Sequence, residues 1–384
     1  MSDLPVWARW SPVAASMPWT IGVEEEVMLL DPDTRALEPR IDDVLRSLTP
    51  ALDGRVAAAT HGSAAALNTK PHPTPAAAAA ELGALRAALV EDLNRNGMHA
   101  ASAGTHPFAQ WEDTEISPSA RSRSILDSMR ELARREPTYA LHVHVAVPTP
   151  TMAVRAMDGL RAHLPLLLAL SANSPFWQGR DSGLASARTP VFGAFPRTGI
   201  PRRFGSYEEY VDGIDVLLRC GAIPEPTYLW WDARLQPRLG TLEIRIMDAQ
   251  SRLEDVGALV ALAQCAVRLE ATSAKLALQG AAARPEVLNE NRFLALRDGM
   301  GADFVDPDHD RLRPAPELLD ELLDACAPHA FALGCEAELD SVRALAENSG
   351  ATRQRVLAGD ADHHDLMGLV GSLVDEFLVP VKTG

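Results

Sequence analysis

A chain of 384 residues with 47% apolar side chains can fill one large core or two ordinary ones. Its formal charge of −16, from 36 basic against 52 acidic residues, argues against broad binding to nucleic acid or an anionic membrane, while leaving room for local arginines to hold a phosphorylated ligand. Cys220, Cys265, Cys326 and Cys335 form no CxxC, no charged-then-apolar leader precedes Trp19, and the longest apolar segments contain Pro, Arg or Glu, so the expectation is a reduced cytoplasmic protein with buried thiols and no membrane partner.

The first element is a strand, Ile21 to Leu30, carrying three adjacent carboxylates. Side chains alternate along a strand, so Glu24, Glu26, Met28 and Leu30 share one face and Val23, Glu25, Val27 and Leu29 the other. Thr74-Pro75 before a run of alanines marks a helix start, and Gly97 its end. A second strand, Leu141 to Val147, sets Leu141, Val143, Val145 and Val147 against His142, His144 and Ala146. Residues 151–171 read as a helix kinked at Pro165. Residues 173–204 read as a long ordered loop holding Arg180, Arg188, Arg197, Arg202 and Arg203. Ser206 with Glu209 forms a capping box for a helix ending near Gly221, and Ser251 with Glu254 opens a mostly apolar, buried helix to about Gly280. Between these helices, the strand Thr241 to Asp248 opposes Leu242, Ile244 and Ile246 to Glu243, Arg245 and Met247. From about residue 315 the chain reads as helices only. No internal repeat or linker stands out, so the expected organisation is one domain over 1–384, of α+β class with an antiparallel sheet.

Three strands that are each apolar on one side and ionisable on the other describe a sheet with one face on a core and one lining a wet site. Like charges side by side repel, so the glutamates call for an opposite charge, and a divalent cation is a candidate. Carboxylates and imidazoles on one face could bind metal, and Arg245 could bind an anion. The plainer alternatives are an edge strand of solvated glutamates and a histidine pair satisfied by hydrogen bonds alone. An arginine-rich loop beside such a sheet suits a polyanion bound with a cation.

The motifs Gly22-Val23-Glu24-Glu25-Glu26, Ser102-Ala103-Gly104-Thr105-His106-Pro107-Phe108, Leu141-His142-Val143-His144-Val145, Leu170-Ser171-Ala172-Asn173-Ser174-Pro175-Phe176-Trp177, Trp230-Trp231-Asp232-Ala233-Arg234 and Gly240-Thr241-Leu242-Glu243-Ile244-Arg245 follow in this order. They resemble the carboxylate–amine ligase family of the YbdK type, also called type 2 glutamate–cysteine ligase, over about residues 20 to 360. The resemblance implies a glutamine-synthetase-like fold, a curved antiparallel sheet backed by helices. It implies ATP-dependent amide formation from small amino acid and amine substrates: a carboxylate attacks the γ-phosphate, and an amine displaces phosphate from the acyl phosphate. ATP and Mg²⁺ are the implied cofactors. Glu24, Glu26 and Glu243 would be metal ligands, joined by one of His142 and His144, with Glu24 and Arg245 in the catalytic group. Arg180, Arg188, Arg197 and Arg234 are the candidate phosphate or substrate ligands. A homodimer is the expected assembly.

One stretch departs from the family pattern. Where the family carries a strand resembling Glu-Leu-His-x-Ser-x-x-Glu-x-x-Thr, this chain runs from Ala59 to Thr69. His61, Ser63 and Thr69 fit, but the two acidic positions are Ala59 and Ala66, and alanine cannot ligate a cation. Ala146 replaces a usual glycine. The competing expectations are an active ligase, an impaired relative that keeps fold and ligand binding, and a metal hydrolase built on His142-x-His144. The chain lacks a Walker-type loop, a Gly-x-Gly-x-x-Gly and a Gly-x-Ser-x-Gly elbow.

Overall fold

The structure is a computed structural model and describes residues 4–135, 137–273, 284–359 and 365–379. Seven strands form its main sheet: β1 (Ile21–Leu30), β2 (Val56–Ala58), β3 (Ala64–Asn68), β4 (His99–Ala101), β5 (Ala140–Ala146), β6 (Ala233–Gln236) and β7 (Thr241–Asp248). The order is β6-β7-β5-β1-β3-β2, with β4 also beside β1, and every pairing is antiparallel. The α+β class and antiparallel sheet expected from the sequence are those observed.

Helices cover the apolar face. α1 (Pro75–Arg95) and α5 (Leu253–Thr272) pack behind the sheet and on each other. Ile21, Val23, Val27, Leu141, Val143, Val145, Leu242 and Ile244 meet them in one core. α5 is buried nearly all round, as its composition requires. Its one buried amide with long-range partners, Gln264, donates to the carbonyls of Trp19 at 2.8 Å and Pro73 at 3.0 Å.

Glu25 faces this core, and Arg86 of α1 neutralises it. Arg86 Nε donates to Glu25 Oε2 at 2.8 Å and a terminal nitrogen reaches Oε1. The guanidinium also donates to the carbonyls of Gln250 (2.7 Å), Ser251 (2.9 Å) and Phe377 (3.2 Å), and lies 4.4 Å from the Phe377 ring centroid. The middle glutamate of the triplet is therefore structural.

Local expectations meet mixed outcomes. Thr74 caps α1 by accepting from Ala77 N, and Ser206 caps α4 (Tyr207–Arg219) by accepting from Glu209 N. Ser251 does not cap α5; its hydroxyl donates to the Ser102 carbonyl at 3.0 Å, and Arg252 holds the cap position without a side-chain bond. The expected end of that helix near Gly280 lies outside the described residues. The 151–171 segment is two helices, α2 (Pro150–Leu160) and α3 (Leu164–Ser171), because Pro165 starts the second instead of kinking one. Residues 173–204 are not a bare loop: they contain a hairpin (Phe176–Trp177 with Arg180–Asp181) and a short helix, Arg188–Phe192. A hairpin at Asp303–Asp306 and Arg311–Pro314 precedes the C-terminal helices, which are as expected over the described residues.

Met247 is misplaced by the simple alternation. The β5–β7 register shifts between Ile244 and Met247, so a bulge turns Met247 into the core opposite Leu141. No described helix is long and apolar enough to cross a membrane.

Candidate functional site

The polar face of the sheet floors a cavity of about 740 Å³. Strand pairing decides what meets there. Glu24 of β1 stands opposite Asn68 of β3 on one side and His142 of β5 on the other. His144 stands opposite Glu243 of β7, and Glu243 opposite Arg234 of β6. Glu24, Glu26, His142, His144, Glu243 and Arg245 all line the cavity, as do Arg188 and Arg234.

Within this group, Glu24, His142 and Glu243 approach most closely: ligand atoms of the three lie within 4.8 Å of one another. Glu26 and His144 share the cavity but not this cluster. Glu26 Oε2 accepts from the Ala140 backbone N–H at 2.7 Å, and His144 Nδ1 lies 3.0 Å from Thr241 Oγ1.

Glu243 is held by a cationic clamp. Arg234 donates to its two oxygens at 3.0 and 3.1 Å, Gln236 Nε2 donates to Oε2 at 2.7 Å, and Arg245 reaches Oε1. Burial raises the Glu243 pKa, but the two guanidiniums win and hold it well below the usual carboxylate range. Arg234 is fixed in turn by the carbonyls of Thr227 (2.7 Å) and Leu229 (2.8 Å). Arg245 is pushed up: burial alone would lower it, and Glu243 reverses that.

Burial also raises Glu24, but the hydrogen bond and charge of His142 outweigh it and bring Glu24 to about 2. His142 is pushed down to about 4, first by burial and then by Arg245. It is neutral near pH 7 and donates Nδ1–H to Glu24 Oε2 at 3.2 Å. Glu26 is raised to about 7 by burial and by the charge of Glu24. The cavity thus holds one carboxyl that titrates near neutrality beside two that stay ionised.

The loop arginines separate. Arg188 lines the cavity, with its guanidinium bound to the carbonyls of Ile246 (3.1 Å) and Arg245 (3.2 Å), across the β7 bulge. Arg180 is exposed on the hairpin and does not line the cavity. Arg197 does not line the cavity: its Nε donates to the Tyr228 carbonyl at 3.0 Å and its guanidinium lies 5.1 Å from the Trp230 ring centroid. Asp248 pins the base of the covering segment to the sheet, accepting from Ser174 Oγ (2.6 Å), Ser186 Oγ (2.9 Å) and Asn173 N (2.9 Å). Gly104 must be glycine there, since a Cβ would lie 2.6 Å from the Asp248 carboxyl carbon.

Several lining residues escaped sequence reasoning. Gln236 shares a strand face with Arg234, a signal that alternation offered. Arg121, paired with Glu225 at 2.6 Å, and Phe192 and Phe195 come from distant segments with no local signal, and with Trp230 of the Trp230–Arg234 motif the two phenylalanines form an aromatic wall. Counting these, the lining has four carboxylates (Glu24, Glu26, Glu225, Glu243) and four guanidiniums (Arg121, Arg188, Arg234, Arg245).

Ala59 and Ala66 both line this cavity. Ala66 is the cross-strand partner of Glu26, and a turn over residues 59–63 brings Ala59 back beside Ala64. Glu24, His142 and Glu243 could hold one divalent cation completed by water or phosphate oxygens, provided that Glu243 gives up one of the four hydrogen bonds it accepts, and the imidazole widens the choice beyond Mg²⁺.

The model of glutamate–cysteine ligase family 2 matches residues 20–371. A Rubrobacter xylanophilus protein with the provisional name glutamate–cysteine ligase 2-3 is 42% identical over 345 residues, covering 89% of this chain and 93% of its own. A Chloroflexus aggregans protein with the provisional name glutamate–cysteine ligase 2 is 33% identical over 376 residues, covering 97% and 96%. Among solved structures, the glutamate–cysteine ligase of Francisella tularensis in complex with AMP superposes with a TM-score of 0.66 at 13% identity, covering 94% of this chain and 89% of that one. At that identity the likeness speaks for a shared fold.

Proposed function

From the premise that the chain belongs to glutamate–cysteine ligase family 2, and so is an ATP-dependent ligase that makes a C–N bond, we propose a finer reading: it activates glutamate or a close analogue as an acyl phosphate and transfers the acyl group to an amine. The observation that supports this most is the convergence of Glu24, His142 and Glu243, from three adjacent strands, beside Arg245. Phosphoryl transfer needs positioning and charge neutralisation more than covalent help from the protein. Glu24 and Glu243 would hold a divalent cation, Mg²⁺ or a borderline ion, which when bound neutralises phosphate charge. Arg245 stays cationic and is aimed by Glu243 at the same place. His142 orients Glu24 as a neutral donor. Glu26, raised to about 7, is able to take a proton from an incoming ammonium at neutral pH.

A second reading is a relative that binds ligands but turns over weakly, and Ala59 and Ala66 favour it. With four carboxyls, one of them titrating near 7, against four guanidiniums, the lining carries no net negative charge to hold a cation, so each added divalent ion leaves uncompensated positive charge until phosphate arrives. Phosphate release from ATP, measured across a panel of amino acids and amines with and without Mg²⁺ or Mn²⁺, tests both. Release that requires a carboxylate and an amine together supports the ligase. Ligand binding with no release in any combination supports the impaired relative and removes the turnover reading.

A further inference from the structure

We infer that the β2–β3 end of the cavity is an uncharged compartment that takes the short apolar chain of an amine ligand. Across the sheet, Glu26 pairs with Ala66 and Ala66 pairs with Ala57, so a carboxylate gives way to two successive alanines. Ala64 lies one step along the same face, and Ile125, from the helix Ala120–Met129, closes that end. Ala57, Ala58, Ala59, Ala64 and Ala66 all line the cavity at this end, Ala57 exposed and Ala64 and Ala66 deep in the floor.

The charges lie elsewhere. Glu24 and Glu26 are on β1, Glu243 and Arg245 on β7, and Arg234 on β6. Arg121 is on the helix beside this end, but Glu225 neutralises it at 2.6 Å. His61 is the remaining ionisable group, and burial pushes it down to about 4, so it is neutral near pH 7. A ligand lying from β1 toward β2 would meet carboxylate, then the alanine floor, then Ile125, with the uncharged Thr60, Ser119 and Ser122 among the lining residues. That sequence complements an alkylammonium: the ammonium on Glu26, the carbon chain over Ala66 and Ala57. The cationic β6–β7 end is left for the anionic reactant.

The assignment rests on the ligase reading only in calling this ligand the amine substrate; the binding claim stands apart from turnover. The test is a series of methyl-, ethyl-, propyl- and butylamine titrated calorimetrically into the full chain, with the KM for each measured by phosphate release. Each methylene moved from water onto apolar surface should tighten binding about fourfold, until the chain reaches Ile125. Ala66→Glu should abolish the dependence on chain length, and the milder Ala66→Ser should reduce it. Affinity that is flat or falls with chain length in the unmodified protein overturns the compartment, whether or not the variants fold. Length-dependent binding without phosphate release would sink the ligase reading and leave the compartment standing. Release with a KM indifferent to chain length would do the reverse.

Discussion

Glu25 and Arg86 form a two-pronged ion pair behind the sheet, both side chains fully enclosed, one residue away on β1 from glutamates that face the opposite way into the cavity. A single Glu-Glu-Glu run thus serves two environments, and they answer to mutation differently. Arg86→Leu strands a buried carboxylate and frees three carbonyls, which should cost about 3–5 kcal/mol in denaturant unfolding. Glu26→Gln, at a cavity-facing position where burial disfavours the ionised form, should cost no such stability at neutral pH. Equal effects from the two variants would contradict this division.

Arg245 should matter to rate more than to fold. Arg245→Ala removes the guanidinium that Glu243 aims into the cavity, and loss of one such electrostatic group costs about 10²–10³ in turnover. Arg180→Ala should leave turnover unchanged, because that side chain is exposed away from the cavity. Steady-state phosphate release on the two variants compares them directly.

The double change Ala59→Glu, Ala66→Glu adds two carboxylates to a lining in which acids and guanidiniums now balance. Divalent cation affinity should rise, and nucleotide affinity should become more dependent on the cation. Calorimetry of Mg²⁺ and Mn²⁺ with and without nucleotide reads this. An unchanged cation affinity would show that these two positions do not reach the site.

Glu26 imposes a pH dependence of definite sign. Its folded pKa of about 7 lies above the ordinary 4.5, so its contribution to stability is fully present below about 4.5 and is lost as pH rises through 7. Glu24, lowered to about 2, works oppositely: its contribution is present above 4.5 and lost as pH falls toward 2. Glu26→Gln should therefore flatten the fall in melting temperature between pH 5 and pH 8 and leave the acid limb intact. A variant whose melting profile parallels the parent over that range would refute the assignment.

Thiol chemistry should report on packing. Cys220 is exposed while Cys265, Cys326 and Cys335 are buried, the sulfurs of Cys265 and Cys335 lying 3.7 Å apart. An aromatic disulfide reagent should titrate one thiol in the native, reductant-free chain and four after denaturation. Two or more fast-reacting native thiols would mean that the region around α5 opens.

Much of the site could be read from periodicity because it lies on strands. Alternation alone placed Glu24, Glu26, His142, His144, Glu243 and Arg245 on polar faces. It failed at Met247, where a bulge that no local pattern announces breaks the period. It could not see Arg86, whose partner Glu25 lies 61 residues away. Ser251 satisfied the capping pattern, yet a nearer tertiary acceptor, the Ser102 carbonyl, took its hydroxyl. The loop arginines illustrate the same limit: composition suggested a clamp, but only Arg188 reaches the cavity, because Asp248 fixes the chain just before it.

The strand order also bears on how the chain is made. β1 lies between β3 and β5, yet β3 is only some forty residues downstream of β1 while β5 begins at Ala140 and β7 at Thr241. A growing chain can pair β1 with β3 long before β5 exists, leaving one side of β1 open over Ile21–Glu25. Open strand edges recruit other chains, and charges on them discourage it. Glu24 and Glu25 lie in that stretch, so residues that line a cavity and anchor a core in the finished protein also guard an unfinished edge. Refolding at rising protein concentration should accordingly produce more aggregate for Glu24→Val than for the parent.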